Sequence, residues 1–269
     1  MLTKLARAKV NLALHVTGQR DDGYHLLDSL VAFADIGDRL TFTPADQLSL
    51  VIEGPYGAGL DPEGDNLVIQ AAEMMGSPKV AITLEKNLPV ASGIGGGSAD
   101  AAATLLGLAE MCDIPLPDLS DQTRLGADVP VCVAGHACRM KGIGEVIEPL
   151  SAFGPFDAIL ANPNKTVSTP AVFKHLTDKN NSPIPDQFTG TTKGLSALRN
   201  DLQGPAIETR PEIAEVLAAL TSTDAELARM SGSGATCFGL YPSAPEAVKA
   251  AETLRTEHPD WWVQPCRLN

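Results

Sequence analysis

Large aromatic rings are scarce in this chain. Of its 269 residues two are Trp, three Tyr and seven Phe, 4% in all, so the places where rings do occur are informative. Basic residues are also few: 20 Lys and Arg stand against 33 Asp and Glu, a formal net charge of −13. That balance excludes bulk nucleic-acid binding, which needs a basic footprint. It leaves room for a small anionic ligand, because a local site can be positive on an acidic protein. No apolar run reaches the roughly 18 residues of a membrane span. The stretch MLTKLARAKVNLALHV is broken by Lys4, Arg7, Lys9 and Asn11 and reads poorly as a signal peptide. Cysteines number five (Cys112, Cys132, Cys138, Cys237 and Cys266), an odd count without zinc-type Cys-x-x-Cys pairs. Free thiols in a reduced, cytoplasmic protein without membrane partners are the expectation. Also missing is any Gly-Lys dipeptide. A Walker A phosphate loop requires one, so that reading fails.

What is present is a glycine-dense loop that turns at once into a helix. Residues 89–99 read Pro89, Val90, Ala91, Ser92, Gly93, Ile94, Gly95, Gly96, Gly97, Ser98 and Ala99, and the chain continues as DAAATLLGLAEM. Glycines keep no Cβ between a ligand and the backbone. The helix behind them offers unpaired N–H groups and the positive end of its dipole, which together make an anion site. A dinucleotide fingerprint fits badly, because Ser98 stands where its last glycine belongs and LPVAS separates strand from loop. A plain turn with Ser98 as N-cap is the bland alternative, but three consecutive glycines cost entropy that such a turn does not require.

Around the loop the pattern mixes strands and helices. Residues 7–16 alternate, with Ala8, Val10, Leu12, Leu14 and Val16 on one face and Arg7, Lys9, Asn11, Ala13 and His15 on the other. This predicts a half-buried strand with its polar row outward. LVAFADIGDRLTFTP predicts two strands with a turn at Ile36–Asp38. Residues 66–75 predict a helix capped by Asn66, 79–87 a strand, about 98–112 a helix, and CRMKGIGEVIEPL a hairpin. The character changes near 150–155. Beyond it, FDAILANP predicts a strand, and TPAVFKHL, PEIAEVLAAL, ELARM and about 245–257 predict helices. TDKNNSPIPDQFTGTTK (177–193) predicts a long surface loop, and WWVQPCRL a final strand. The expected class is α+β, or mixed α/β, in two lobes, 1–150 and 151–269.

Residues 89–103 also satisfy the pattern Pro-x-x-x-Gly-x-Gly-Gly-Gly-Ser-x-x-Ala-Ala-Ala, which resembles the ATP loop of the GHMP kinases, a superfamily of small-molecule kinases. AKVNLALHVTGQRDDGYH (8–25) resembles their N-terminal substrate motif and SGSGATCFG (231–239) their C-terminal glycine motif. Three motifs in order over most of the chain are far more specific than one. AKVNLALHVTGQRDDGYHLLDSL, GADVPVCV and TPAVFKHL narrow the resemblance to the GHMP kinases of non-mevalonate isoprenoid synthesis, whose substrate is a cytidyl diphosphate of methylerythritol.

The resemblance implies a two-lobed GHMP-kinase fold, with an N-terminal lobe like ribosomal protein S5 domain 2, which binds ATP, and a ferredoxin-like C-terminal lobe, which binds substrate. The site is then expected in the cleft between the lobes. It implies ATP-dependent phosphorylation of the 2-hydroxyl, with ATP and Mg2+ required and residues 89–99 as the nucleotide loop. Lys9 takes the role of the cation and Asp128 that of the base. Tyr24 and Phe173 stack on either side of the cytosine, His25 pairs with the base edge, and Asn11 and Thr169 contact substrate. On the residues alone, Lys9 also reads as a solvated strand lysine, Asp128 as a helix N-cap before Val129 and Pro130, and Phe173 as core. His15, His136, His175 and His258 show no partner pattern. The family often has Ser-Asn after the last glycine, whereas this chain has Ser98, Ala99 and Asp100. Asp100 is unfavourable beside a phosphate unless it faces away or helps hold magnesium, so the metal ligands stay open. Other GHMP kinases, acting on homoserine, mevalonate or a sugar, and a catalytically silent nucleotide sensor are the alternatives. A monomer or weak homodimer is expected.

Overall fold

The structure is a computed structural model describing residues 1–62, 64–151 and 153–269. Ala152, inside the change of character expected at 150–155, lies outside the described residues. The elements run β1 (Leu2–Gln19), β2 (His25–Pro44), β3 (Ser49–Glu53), α1 (Leu67–Met74), β4 (Val80–Glu85), α2 (Gly96–Cys112), α3 (Leu119–Leu125), α4 (Val129–Ala134), β5 (Cys138–Gly142) and β6 (Val146–Pro149). They continue with β7 (Phe156–Asn162), α5 (Thr169–His175), α6 (Thr192–Ser196), α7 (Gln203–Thr209), α8 (Glu212–Ser222), β8 (Leu227–Met230), β9 (Cys237–Tyr241), α9 (Ala244–Glu257) and β10 (Trp262–Leu268). Among the described residues no helix is long and apolar enough to cross a membrane. The chain gathers into two compact units. Unit one holds Met1–Lys9, Ile36–Val90 and Gly95–Gly135, and unit two holds Val10–Asp35, Ala91–Ile94 and His136–Asn269. Their segments alternate along the sequence, and β1 and β2, with 18 and 20 residues, each supply residues to both. The divide expected between 150 and 151 falls inside unit two.

In unit one, the C-terminal half of β2 pairs antiparallel with β4, from Arg39↔Glu85 to Pro44↔Val80, and β3 pairs parallel with β4. Val80, Ile82 and Leu84 alternate inward along β4, each worth roughly 1.5–3 kcal/mol once buried. Asn66 caps α1 as expected, its Oδ1 accepting from Val68 N at 2.9 Å. Helix α2 buries Ala99, Ala101, Ala102, Ala103, Leu105 and Leu108. Small residues let it lie close to the sheet: a Cβ on Gly107 would stand 2.5 Å from Phe42 Cε2.

The turn expected at Ile36–Asp38 does not form, because β2 runs straight through it. Gly37 is there for a close approach to β1, since a Cβ would stand 2.1 Å from Ala6 O. Strand β1 differs as well. The row expected to face solvent is buried: Lys9 is 4% exposed, Asn11 1% and His15 1%. These polar groups have partners, which is what makes the second dry face tolerable. Asn11 Nδ2 donates to Ser29 Oγ at 2.8 Å, and His15 Nδ1 lies 2.9 Å from Ser182 O.

In unit two, β10, β7, β9 and β8 form consecutive antiparallel pairs, and β10 joins β2 at Leu268↔Ala34. The expected hairpin is β5–β6, and β5 pairs with the N-terminal half of β2. Ile159, Val172, Ile213, Val216, Leu220, Met230 and Leu254 share one core. ELARM, expected as a helix, is instead strand β8, paired from Leu227↔Leu240 to Met230↔Cys237. Five residues are too short for an independent helix, and the free edge of β9 overrides their helical propensity. Short helices α6 and α7 follow the long loop.

That loop is anchored rather than merely superficial. Arg139 holds Asp28 through Nε and Nη2 at 2.8 and 2.7 Å. It also donates to Asp186 at 2.8 Å and to Ile184 O at 2.6 Å. Ile184 N returns a bond to Asp28 Oδ2 at 2.8 Å. Burial pushes the Asp28 carboxyl up, but Arg139 and the Ile184 N–H more than offset it, so it sits below its ordinary value. A depressed carboxylate contributes stability above its unfolded value near 4 and loses it as pH falls through the folded value. Asp28→Asn should therefore cost about 3–5 kcal/mol at pH 7, read from urea unfolding, with the penalty narrowing below about pH 4. A cost under about 1 kcal/mol, typical of an exposed pair, would show that the cluster does not anchor the loop.

Candidate active site

Helix α2 starts earlier than its side chains alone predict. Its N-cap is Gly95, in the left-handed region at φ 66°, so Ser98 lies inside the first turn and does not cap it. The first four N–H groups of a helix have no partner within it, and three of the residues here are Gly96, Gly97 and Ser98. Backbone donors and the positive end of a 17-residue helix thus meet a surface with no Cβ at Gly95, Gly96 or Gly97.

Within unit one this turn lies against Lys9 and Asp128. A Cβ on Gly95 would stand 3.2 Å from Lys9 Cβ and Cε. Lys9 Nζ lies 3.0 Å from Asp128 Oδ2. Asp128 occupies the N-cap position of α4, yet its carboxylate makes no capping bond. It turns to the lysine instead, so the capping reading yields to the ion pair. Lys9 is buried, whereas the Asp128 side chain remains about one-third exposed. A buried ammonium paired to a more accessible carboxylate beside a phosphate-type turn can orient a hydroxyl, accept its proton and balance charge on a transferring group.

Asp100 is turned to Lys86. Its Oδ2 accepts from Lys86 Nζ at 2.7 Å, and Lys86 also bonds Asp38. Among the described residues no group of three or more His, Cys, Asp or Glu side chains is placed to hold a metal ion. The donor set therefore does not form an all-protein cage.

Within unit two, Ala91–Ile94 are gripped by the glycine motif that follows β8. Gly93 has φ 79°, and a Cβ there would stand 2.5 Å from Ser231 O and 2.7 Å from Gly234 N. Ser231 Oγ donates to Gly93 O at 3.0 Å and accepts from Asn11 N at 3.0 Å. Thr236 N donates to Ser92 O at 3.0 Å. Ile94 is wholly buried. Thr169 Oγ1 lies 2.7 Å from Ser233 Oγ, so the helix that carries Phe173 is tied to the same motif. Phe173 stacks on His25, with centroids 4.4 Å apart and planes 19° from parallel. Burial, with Lys179 nearby, lowers the pKa of His25. His25 Nε2 is enclosed with no hydrogen-bond partner. Tyr24, expected opposite Phe173, is 60% exposed, and the ring that meets Phe173 is His25.

Several supporting residues escaped the sequence. Asp38 read as part of a turn. Lys86 read as the end of a strand, and Ser29 carried no signal. Asn200 donates to Met230 O at 2.8 Å and to Gly232 O at 2.9 Å, shaping the glycine motif from a stretch without a recognisable pattern.

Known proteins resemble this chain along its whole length. The family model for the GHMP kinases N terminal domain matches residues 66–144, and that for GHMP kinases C terminal matches residues 192–260. A 4-diphosphocytidyl-2-C-methyl-D-erythritol kinase of Cereibacter sphaeroides is 55% identical over 276 residues, covering 100% of this chain and 99% of its own length. A crystal structure of 4-(cytidine 5'-diphospho)-2C-methyl-D-erythritol kinase is 34% identical, covers 100% of this chain and 99% of that one, and has a TM-score of 0.85. Mevalonate kinase of L. major, 14% identical with a TM-score of 0.68 over 100% of this chain and 96% of its own, shares the fold alone. With the mixed α/β fold, the glycine loop and this full-length identity, the chain belongs to the GHMP kinase family, among its 4-diphosphocytidyl-2-C-methyl-D-erythritol kinases.

Proposed function

We propose that this protein transfers the γ-phosphoryl group of ATP to the 2-hydroxyl of 4-(cytidine 5'-diphospho)-2-C-methyl-D-erythritol, in the non-mevalonate route to isoprenoids. The chemistry rests on one observation, the Lys9–Asp128 pair at 3.0 Å beside the N-terminal turn of α2. The substrate rests on the relatives' names. Phosphoryl transfer is mainly positioning and charge stabilisation. Residues 89–99 receive the triphosphate through backbone N–H groups. Asp128 orients the hydroxyl and takes its proton as the oxygen bonds to phosphorus and the bond to the β-phosphate oxygen breaks. Lys9 stabilises the charge that spreads over the phosphoryl oxygens. Magnesium, when bound on the phosphates, supplies further neutralisation there. The cytosine packs against the Tyr24, His25 and Phe173 rings, and Asn11 and Thr169 supply polar contacts. The enzyme works as a cytoplasmic monomer or weak homodimer.

Purified protein with ATP, magnesium and the cytidyl substrate should consume ATP, and homoserine or mevalonate in its place should not support turnover. Turnover only with one of the latter would move the assignment to another GHMP kinase. Asp128→Ala should lower kcat about 100-fold or more, the reach of a positioned base; an unchanged rate would reduce Asp128 to a partner of Lys9. Tyr24→Ala should raise KM for the cytidyl substrate by about five- to hundredfold, the range of base–aromatic stacking, and leave KM for ATP nearly still; equal shifts in both would remove Tyr24 from the base site. Gly95→Ala places a methyl 3.2 Å from Lys9 Cβ and Cε. A displacement of that kind should cut kcat by about ten- to hundredfold, with KM for the cytidyl substrate little changed. Full turnover in the Gly95→Ala enzyme would show that the Lys9 position is not critical.

A further inference from the structure

Behind the nucleotide turn, wholly inside unit one, an ammonium is shared by two carboxylates. Lys86 is 4% exposed. Its Nζ bonds Asp38 Oδ2 and, at 2.7 Å, Asp100 Oδ2. The other oxygen of Asp38 accepts from the N–H groups of Asn87 at 2.6 Å and Leu88 at 2.8 Å. The segment entering the glycine loop is thereby tied to β2, and through Lys86 to α2. The cluster is also close to the helix start. A Cβ on Gly96 would stand 3.3 Å from Lys86 Nζ and 3.8 Å from Asp38 Oδ2.

Two carboxylates outnumber one ammonium here. Asp100 Oδ1 is buried and has no hydrogen-bond partner. An orphaned buried carboxylate oxygen is costly for stability, and here it stands near a turn that must accept a polyanion. The charged groups facing Asp100 are Lys86, which follows β4, and Asp38, on β2. Burial and Asp38 push the Asp100 carboxyl up, Lys86 opposes them, and it rests at about 7. Lys86 is correspondingly held charged: burial works against its proton, but the two carboxylates prevail.

We propose that Asp100 is a positioning residue that sets ATP affinity by drawing Lys86 inward, so that two carboxylates spend the charge of the ammonium and little of it reaches phosphates at the start of α2. The proposal rests on the reading of residues 89–99 as the ATP loop. Asp100 touches no reactant. It acts through Lys86, and its effect falls on nucleotide binding rather than on the cytidyl substrate. Because ionised Asp100 is the group that competes for Lys86, the restraint strengthens as pH rises through 7.

The test is calorimetric titration with a non-hydrolysable ATP analogue and magnesium at pH 6 and pH 8, with parallel KM measurements for the cytidyl substrate. Asp100→Asn keeps the shape and an acceptor for Lys86 but not the charge. It should tighten analogue binding by about three- to tenfold at pH 8, a modest charge effect at an effective dielectric near 20. The gain should shrink at pH 6, and KM for the cytidyl substrate should stay put. In a Lys86→Met background the same change should have no effect on affinity, since the residue acts through that ammonium. Asp100→Ser repeats the comparison if the asparagine variant does not fold. No tightening at pH 8, an equal gain at both pH values, or a matching shift in KM for the cytidyl substrate would overturn the proposal. If the unmodified protein does not bind the analogue, the ATP-loop reading fails and this proposal with it. If it binds the analogue but leaves the cytidyl substrate unphosphorylated, only the substrate assignment fails, and the affinity comparison still decides the role of Asp100.

Discussion

β1 is buried along both of its rows, and much of the polar structure answers to that constraint. A strand with one wet row needs no particular partners. A strand with two dry rows must find one for every polar group it carries. Lys9 is met by Asp128, Asn11 by Ser29, and His15 by Ser182. The main chain is served in the same way. Arg229 donates to Leu12 O at 2.7 Å, and Val16 N donates to Asp201 Oδ2 at 2.8 Å. Lys9, proposed for chemistry, and Asn11 and His15, which tie the strand to its neighbours, are therefore drawn from one row of one strand. A substitution there disturbs stability and catalysis together, and a drop in activity alone cannot assign a role. That is why the KM-against-kcat comparison matters more than the size of any loss.

The two glycine motifs form one physical object within unit two. A Cβ on Gly93 would stand 2.5 Å from Ser231 O, and a Cβ on Gly232 would stand 2.7 Å from Gly93 O. Each backbone occupies the space where the other's side chain would be. Both positions thus exclude a side chain, although they lie far apart in sequence. This reciprocity gives a steric reason for ordered glycine motifs in a chain, independent of any ligand. It also limits what the motifs say about function: backbone-to-backbone packing explains Gly93 and Gly232, whereas Gly95, Gly96 and Gly97 line the helix start.

Much of this was legible in the sequence, in graded fashion. Periodic segments such as α1, β4 and α9 were readable because one face is apolar and the period is clear. The glycine loop was readable because few other devices need so many positions without a Cβ. ELARM was not, since its residues favour a helix and only pairing with β9 makes it a strand. The continuous course of β2 through Gly37 and Asp38 was hidden because Gly-Asp is a turn signal locally. Its real causes are the Ala6 backbone and Lys86, both distant in sequence. The burial of Lys9 and Asn11 was hidden for a similar reason: alternation shows which residues share a face, not whether that face is dry. Candidate site residues are named by the motifs that carry them, whereas the groups that support them (Ser29, Asp38, Lys86 and Asn200) are not, because a supporting hydrogen bond imposes little pattern on its own segment.

An acidic protein that binds polyanions must make its attraction locally. Here the cations nearest the glycine turn are already balanced, Lys9 by Asp128 and Lys86 by Asp38 and Asp100. What remains unopposed is the backbone: N–H groups at the start of α2 and the dipole behind them. Attraction from fixed dipoles depends steeply on position and falls off within about the first turn. A site built this way discriminates by where the phosphates sit rather than by how much charge they bring. It also withstands the net charge of −13, because distant carboxylates are screened beyond a Debye length of about 8–10 Å while the helix start acts at contact. The balanced lysines then serve other tasks: in the proposed reaction Lys9 follows the charge that moves during transfer, and Lys86 holds the segment that enters the turn.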